Sequence, residues 1–296
     1  MVNSLAQQLA TLAERALEME VSLAPKPGLV DPISRGAHRD MDVQTFKRSI
    51  QALAPYFVAY AQAGLEHEGE LVTLFQRIRQ IGQQAESAML QATSGVNTHK
   101  GANFSLAVLL AATGYYLQTQ PKKQDNLYFN DIDTGSVCQI ARQMTQHLLT
   151  VDFANLQTKA TLSYGEKLYL KYRITGIRGE AGNGYPCLTH HLLPLMRQMQ
   201  PNDDGTTHWL RGLVYLMAIS EDGNLLHRGG IAALQQVQRD MQALHEQALP
   251  ADLFHEALTA YDQQLIDQYL SPGGSADLLG LGLYFAQLEH LPLPSL

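Results

Sequence analysis

Five short segments of the sequence combine glycines with charged and polar side chains, and several run directly into apolar stretches. They are residues 25–42, 94–103, 176–186, 221–230 and 271–277. Glycine lets a backbone approach a ligand closely, and the free N–H groups at a helix start bind anions. Lysine and arginine bind phosphate oxygens, and Mg²⁺ takes one or two carboxylates beside phosphate oxygens and water. The segments together predict an enzyme that uses a polyphosphate with Mg²⁺, without naming its reaction.

The charged residues of these segments supply the groups that such an enzyme needs. The cations available to hold phosphates are Lys26, Lys100, Arg178 and Arg228. The acids available for Mg²⁺ or for catalysis are Asp31, Asp40, Glu180, Asp222 and Asp277. His38 and His99 are candidates for proton transfer, because the unperturbed pKa of histidine lies near neutrality. The other candidates for substrate binding are Gly28, Asn97, Gly101, Asn224, Gly229 and Ser275.

Each segment also has a purely structural interpretation. Asn97 or Thr98 would cap the helix that follows, which is compatible with anion binding at the same place. Ser275 is the expected cap of the last helix, with Asp277 near the positive end of that helix. Residues 176–186 would form a long turn with a solvated ion pair. Any one segment is therefore weak evidence, and the prediction depends on all five occurring in one chain.

Helical periodicity predicts the elements that position these segments. Apolar residues recur three or four positions apart in the first segment of the chain, as in an amphipathic helix. The same pattern recurs at residues 46–63, 71–90, 104–117, 137–149, 209–219, 231–244, 254–270 and 278–288. Residues 118–135 are polar and contain Pro121, which predicts a long surface loop. We expect an all-α, multi-helix bundle forming one domain over residues 1–296, with glycine-rich functional loops at helix N-termini.

Composition excludes several other classes of protein. The formal net charge of −7 argues against a nucleic-acid-binding protein, whose contact face is usually basic. The two cysteines, Cys138 and Cys187, have no paired spacing, which indicates a reducing compartment. The N-terminal segment has neither the basic start nor the apolar stretch of a signal peptide, and no window is long and apolar enough for a membrane span. We therefore expect a cytoplasmic protein without nucleic-acid or membrane partners.

The same segments carry a family resemblance. The stretches SLAPKPGLVD with GAHRDM, GVNTHKGANFSLA, GIRGEAGNGYP, DGNLLHRGG and LSPGGSADLL occur in that order from about residue 22 to residue 280. In this combination the chain resembles the triphosphoribosyl-dephospho-CoA synthases that serve citrate lyase, and their relatives that serve malonate decarboxylase. The resemblance covers nearly the whole chain and does not distinguish these two pathways.

The resemblance implies a helical enzyme that breaks the N-glycosidic bond of ATP. The ribose 2′-hydroxyl of 3′-dephospho-CoA would attack C1 of the ATP ribose, and adenine would leave. The product would be the precursor that an acyl-carrier-protein prosthetic-group transferase uses. The chain departs from the family pattern at Gly182, where an RGEAE motif has a second acid, and at Gly223, which replaces Ser or Thr. Since Glu180 and Asp222 remain, we expect an active enzyme.

Roles for the candidate residues follow from an oxocarbenium-like transition state. Lys26, Lys100, Arg178 and Arg228 would hold the triphosphate together with Mg²⁺. We expect Asp31, Asp222 and Asp277 as metal ligands. Glu180, Asp40 or Asp222 would stabilise the charge at C1 and orient the hydroxyl, and His38 or His99 would transfer a proton. A helical hydrolase with water as acceptor and a non-catalytic nucleotide-binding assembly factor are the two alternatives.

Overall fold

The computed structural model describes residues 2–154, 156, 161–162, 164–200 and 204–295. Its helices are α1 (Val2–Ser22), α2 (Val43–Leu65), α3 (Leu71–Ala92), α4 (Lys100–Thr119), α5 (Asp131–Met144), α6 (Leu148–Asp152), α7 (Tyr164–Tyr172), α8 (Gly176–Gly182), α9 (Leu193–Met196), α10 (Gly205–Ile219), α11 (Gly223–Glu246), α12 (Ala251–Asp267) and α13 (Gly273–Leu288). A 3₁₀ turn spans Pro121–Lys123, and a π-helical segment, Cys187–Leu192, leads into α9. The described residues contain no β-strand, so the all-α prediction is confirmed.

Two helices form the centre of the molecule. Both α4 and α13 are buried around most of their circumference, as expected for helices that are apolar on all sides. The amphipathic helices α1, α2 and α3 pack around α4, whereas α1, α10 and α11 pack against α13. One continuous apolar core includes residues from each of these helices. The N-termini of α4 and α13 are therefore held on rigid, buried supports.

Side-chain caps define several helix starts. Asp42 forms a capping box with Thr45 at the start of α2, and Asn130 forms one with Asp133 at α5. Asp222 accepts hydrogen bonds from two backbone N–H groups of the first turn of α11. Such caps satisfy N–H groups that have no partner inside the helix, each contributing about 1 kcal/mol.

Some local predictions were wrong. The loop at 118–135 is shorter than predicted, because α4 continues to Thr119 and the Asn130 cap starts α5 at Asp131. The segment at 176–186 is partly helical, since Gly176–Gly182 forms α8. Ser275 does not cap α13: it lies inside the first turn, and Pro272 is the N-cap residue. The pattern at 137–149 is interrupted between α5 and α6, and α12 ends at Asp267.

None of the described helices combines the length and the apolar character that crossing a bilayer requires.

Candidate active site

A cavity of about 1030 Å³ lies where the first turns of α4, α11 and α13 meet α3 and α8. The predicted site residues that line it are Lys26, His38, Asp40, Asn97, His99, Lys100, Gly101, Arg178, Glu180, Asp222, Asn224, Arg228 and Asp277. Segments that are far apart in sequence thus converge on one space. Its volume is at the upper end of the range of about 300–1000 Å³ for small-molecule sites, which suits more than one substrate.

Four predicted site residues lie outside the cavity lining and support it. Asp31 accepts hydrogen bonds from the backbone N–H groups of Lys26 (2.9 Å), Ile33 (2.8 Å) and Ser34 (2.7 Å), which shape the loop after α1. Gly28 has a φ of +70°, and a Cβ there would lie 2.5 Å from the carbonyl oxygen of Leu270. These contacts give Asp31 and Gly28 structural roles in that loop.

Ser275 and Gly229, the other two, pack behind the cavity wall. Ser275 donates its backbone N–H to Asp222 Oδ2 at 2.8 Å, and its Oγ lies 3.0 Å from Ser220 Oγ. Gly229 packs beside Leu270, whereas its neighbour Arg228 lines the cavity.

Asp222 connects two of the helix starts. Its Oδ1 accepts hydrogen bonds from the N–H groups of Asn224 (2.9 Å) and Leu225 (3.1 Å) in α11. Its Oδ2 accepts from both the N–H (2.8 Å) and the hydroxyl (3.1 Å) of Ser275 in α13. Burial raises the pKa of this carboxyl, and the four hydrogen bonds oppose that shift. Asp222 therefore fixes the α11 and α13 N-termini relative to each other.

The N-termini of α4 and α13 approach each other closely at Gly101. A Cβ at Gly101 would lie 2.1 Å from Asp277 Oδ2, so no other residue fits without displacing the carboxyl. Asp277 accepts a hydrogen bond from the N–H of Ala102, and its pKa is raised well above the ordinary value. The main cause is burial, followed by the negative charges of Glu20 and Asp222. Three acids therefore lie close together at this end of the cavity, where a cation would favour the ionised form of Asp277.

Lys26 is nearly completely buried, with 1% of its surface exposed. Its ammonium group donates to the side chain of Glu20 and, at 2.7 Å, to the carbonyl oxygen of Glu20. Burial raises the pKa of Glu20, and the Lys26 charge opposes that rise. The ammonium group of Lys26 is therefore already paired within the protein, whereas an exposed lysine without a partner would be available to bind phosphate.

The surroundings of His38 and His99, the two residues predicted to transfer a proton, lower the pKa of both rings. Burial and the charge of Arg228 lower the pKa of His38 to about 4, although Asp40 opposes the shift. The His38 Nε2 lies 2.9 Å from Ser271 Oγ, and its Nδ1 lies 3.1 Å from Arg228 Nη2. Burial and the charge of Lys26 lower the pKa of His99 to about 3. Both rings are therefore neutral at physiological pH.

Glu180 faces the cavity from α8. Its Oε2 accepts the backbone N–H of Cys187 at 3.1 Å, in the first residue of the π-helical segment. Burial raises the pKa of Glu180, the Cys187 hydrogen bonds lower it, and Glu221 raises it further. A carboxylate with a raised pKa is a stronger base, which suits removal of a proton from a hydroxyl.

The two departures from the family motifs lie at different places, since Gly223 is part of the cavity lining and Gly182 is not. Gly182 does not line the cavity, and a Cβ there would lie 3.7 Å from Leu149 Cδ1 in α6. Gly223 is the first residue of α11, directly after the cap Asp222. Both Glu180 and Asp222 remain at the cavity wall.

Asp152 holds two arginines at another part of the wall. Its Oδ2 accepts from Arg178 Nε at 3.1 Å, and its Oδ1 pairs with Arg79 Nη1 at 2.9 Å. Two guanidinium groups on one carboxylate leave a positive charge facing the cavity. Nearby on the same helix as Arg79, Glu86 pairs with Lys100 at 2.5 Å. The exposed Lys100 can exchange Glu86 for phosphate at low cost, whereas Asp152 is largely buried, so Arg79 and Arg178 would bind phosphate while still paired with it.

Sequence reasoning missed Glu20, Ser49, Arg79 and Asp152. Glu20 lies four residues after Ala16 and so continues the apolar face of α1, where an acid is unexpected and marks a buried partner. Nothing in the sequence around Arg79 marks it in this way, because charged residues are ordinary on the exposed face of an amphipathic helix. Ser49 and Asp152 are likewise recognisable only through their contacts.

The donor set fits a magnesium ion that arrives with phosphates. Among the described residues, no three or more His, Cys, Asp or Glu side chains are arranged to hold a metal by themselves. Mg²⁺ ordinarily needs only one or two carboxylates beside phosphate oxygens and water. Asp277 lies at the cavity wall, and although burial and the neighbouring acids raise its pKa, a bound cation would favour its ionised form. Asp31 does not fit, since it lies outside the lining and its oxygens bind three backbone N–H groups.

Part of the cavity wall is apolar. Phe75 and Ile78 of α3 and Phe104, Ala107 and Val108 of α4 all belong to the cavity lining. Apolar and aromatic side chains of this kind are suited to binding an aromatic base. The cavity therefore combines an apolar side with cations and acids.

Comparisons with known proteins give a consistent result. A family model described as ATP:dephospho-CoA triphosphoribosyl transferase matches residues 6–294. A probable 2-(5″-triphosphoribosyl)-3′-dephosphocoenzyme-A synthase of Streptococcus equi subsp. zooepidemicus is 51% identical over 292 residues, covering 98% of this chain and 99% of that protein. A protein of the same description from Streptococcus pyogenes serotype M18 is 50% identical over 293 residues, covering 98% and 100%. No solved structure matches the chain.

Proposed function

The chain belongs to the ATP:dephospho-CoA triphosphoribosyl transferase family, and from this premise we propose the reaction that its cavity performs. The enzyme transfers the 5-triphosphoribosyl group of ATP to the 2′-hydroxyl of 3′-dephospho-CoA and releases adenine. The observation that carries the proposal is the convergence of all five motif segments on one cavity of about 1030 Å³, lined by cations, acids and an apolar wall.

The triphosphate of ATP requires cations that are free to bind it. We assign Lys100, Arg178 and Arg228 to this task, and add Arg79, because all four line the cavity with accessible side chains. Asn97 and Asn224 line the same space and supply polar contacts to the substrates. Lys26 instead holds the loop after α1 in place through Glu20. Mg²⁺ bound by Asp277 and the phosphates would neutralise the charge of the triphosphate.

The transfer breaks the bond between C1 of the ATP ribose and adenine and forms a bond from C1 to the 2′-oxygen of dephospho-CoA. Adenine leaves with the electron pair of the broken bond, and the 2′-hydroxyl loses its proton. Glu180 is the best-placed base for that proton, given its raised pKa and position at the cavity wall. Asp40, exposed at the wall beside His38, is available to stabilise the positive charge that develops on the ribose.

The product is the precursor that an acyl-carrier-protein prosthetic-group transferase would take up. This partner, and a cytoplasmic location, are parts of the proposal supported by the family and by the two cysteines, which are buried and free. Whether the carrier protein belongs to citrate lyase or to malonate decarboxylase is a separate question, answered by testing which carrier protein accepts the product.

The test is adenine release from ATP, measured by chromatography and mass spectrometry with and without 3′-dephospho-CoA. We expect adenine only when the acceptor is present, together with a product heavier by one triphosphoribosyl unit. Removal of Mg²⁺ with EDTA should abolish the reaction. Adenine or ADP formed without the acceptor would identify a hydrolase, and bound but unreacted ATP would identify a binding protein; either result would contradict the proposal.

A further inference from the structure

The ring of His99 has one nitrogen with no partner. His99 is the residue before α4, its surface is 2% exposed, and it forms part of the cavity wall. Its ring makes a T-shaped contact with the ring of Phe46, with centroids 4.8 Å apart. Within the described part of the chain, Nε2 has no hydrogen-bond partner. A buried polar group without a partner is rare in native proteins and points to a ligand that supplies one.

The other ring nitrogen belongs to a short chain of hydroxyl groups. Thr98 Oγ1 donates to Ser49 Oγ at 2.7 Å, and Ser49 Oγ lies 2.7 Å from His99 Nδ1. Ser49 is on α2 and is completely buried, so its hydroxyl cannot turn to water.

Counting protons decides the tautomer. Ser49 has one hydroxyl proton and already accepts one hydrogen bond from Thr98. If Ser49 donates that proton to Nδ1 of His99, the hydroxyl groups of Thr98 and Ser49 each donate one hydrogen bond. If Nδ1 carried the proton instead, the hydroxyl proton of Ser49 would face two donors and no acceptor. The satisfied arrangement places the histidine proton on Nε2.

The electrostatic surroundings keep the ring neutral. Burial and the nearby ammonium group of Lys26 hold the pKa of His99 at about 3. At neutral pH the ring therefore carries one proton only, and the hydroxyl chain determines which nitrogen holds it.

We propose that Ser49 and Thr98 are positioning residues that fix His99 as the tautomer protonated on Nε2, and that this N–H donates a hydrogen bond to bound ATP. The second half rests on the proposed function. The partner is an acceptor atom of the nucleotide, either an oxygen of the triphosphate or a ring nitrogen of adenine. His99 then orients the nucleotide as a donor and is not the general base of the transfer.

The first test needs no turnover. We would label the protein with ¹⁵N-histidine, assign His99 by the loss of its signals in His99→Gln, and record both ring nitrogens at pH 7. We expect a protonated Nε2 and an unprotonated Nδ1. Thr98→Val and Ser49→Ala should each shift the signals towards a mixture of tautomers, whereas Thr98→Ser, which keeps the hydroxyl, should not. A proton on Nδ1, or on both nitrogens, in the wild-type protein would overturn the proposal whether or not the enzyme is a transferase.

The second test identifies the acceptor. MgATP added without dephospho-CoA should shift the Nε2 signal of His99. Inorganic tripolyphosphate reproducing the shift would identify a phosphate oxygen, and adenosine reproducing it would identify the base. Saturating MgATP that leaves the Nε2 signal unchanged would overturn the donor role.

Kinetics separates a donor from a base. His99→Gln retains an N–H donor near the position of Nε2, whereas His99→Leu has none. We expect His99→Gln to remain within about tenfold of wild-type kcat and His99→Leu to lose about a hundredfold or more, the cost typical of removing one such donor. Equal losses in two variants that both fold would contradict the donor role.

Discussion

At the scale of single residues, burial divides the charged groups of the cavity into two sets. Glu20, Lys26 and Asp222 are almost inaccessible and are paired with protein groups. Lys100 and Arg228 are exposed, so they can rearrange onto a substrate. An exposed ion pair contributes at most about 1 kcal/mol, whereas breaking a buried pair costs about 3–5 kcal/mol. A buried lysine such as Lys26 therefore stabilises the fold, whereas an exposed lysine such as Lys100 is available to the substrate.

Replacing Lys26 by Met should chiefly destabilise the protein. The variant leaves the Glu20 carboxylate buried without its cation, and we expect the free energy of unfolding to fall by about 3–5 kcal/mol. Urea denaturation measures this change. The double variant Lys26→Met/Glu20→Gln should recover much of the loss, and Lys100→Met should change stability by less than about 1 kcal/mol. Full stability of Lys26→Met combined with lost MgATP binding would show that Lys26 binds phosphate instead.

Replacing Glu180 by Gln should remove the base. We expect kcat for adenine release to fall by about 10²–10⁴-fold. Glu180 accepts a proton only when ionised, and burial raises its pKa. The wild-type rate should therefore fall as the pH decreases through that raised pKa, and the residual activity of Glu180→Gln should lack this decrease. Glu221→Gln is the comparison variant: it should keep the decrease but move it to lower pH, because the charge of Glu221 raises the pKa of Glu180. An unchanged pH profile in Glu180→Gln would exclude Glu180 as the base.

At the scale of helices, the site depends on three N-termini that meet at one place. Asp222 joins α11 to α13, and the absence of a side chain at Gly101 lets α4 approach Asp277 of α13. Each helix presents the positive end of its dipole to the cavity, which favours anions, and several first-turn N–H groups already donate to Asp222 and Asp277. In α11 the regular helix is broken at Gly230, where φ is +71°, so the segment carrying Arg228 is distinct from the long helix after it.

Replacing Gly101 by Ala should separate α4 from α13. The new Cβ would lie 2.1 Å from Asp277 Oδ2, and relieving that overlap requires either the carboxyl or the helix start to move. We expect a loss of about 1–3 kcal/mol in stability and a larger relative loss of activity. Thermal unfolding and adenine release measure the two effects.

The control for this substitution is Gly82→Ala, on the α3 side of the same cavity. Its nearest neighbour would be Tyr60 Oη at 3.6 Å, an ordinary contact. Alanine should be neutral or stabilising there by up to about 1 kcal/mol, as in other helix interiors. Equal behaviour of the two variants would show that the approach at Gly101 is unimportant.

At the scale of the whole molecule, the cavity lies between parts of the chain that are distant in sequence. The part of the chain up to α4 supplies Lys26, Arg79 and His99, and the part from α8 to α13 supplies Glu180 and the residues around Asp222. A ligand that contacts both groups stabilises the folded state, because the unfolded chain has no such site. The cavity is therefore coupled to global stability.

MgATP should raise the Tm of the protein. At about one hundred times its Kd, a ligand specific to the folded state adds about 2.7 kcal/mol. Differential scanning fluorimetry with MgATP, and with ATP plus EDTA, measures this effect and its dependence on the metal. The double variant Arg79→Met/Arg178→Met should lose most of the shift. Arg77→Met is the matched control, since Arg77 pairs with Glu66 and does not line the cavity. A full shift in the double variant would place the phosphates elsewhere.

The sequence by itself determined the all-α class, most helix positions and the segments that form the cavity. These features depend on periodicity within about twenty residues and on motifs whose chemistry is local. It determined the family for the same reason, since the motifs occur in order along the chain. The family resemblance also pointed to Glu180 and Asp222, which the structure places at the cavity wall.

Only the tertiary structure decided what each charged or polar residue contacts. Lys26 was predicted to bind phosphate, but packing of the loop after α1 buries it against Glu20. His38 and His99 were expected to titrate near neutrality, but burial and neighbouring cations lower both pKa values. Arg79 belongs to the site because α3 packs beside α4. In this position Arg79 and Arg178 both pair with Asp152. Burial and pairing are set by contacts between residues far apart in the chain, and a local pattern does not encode them.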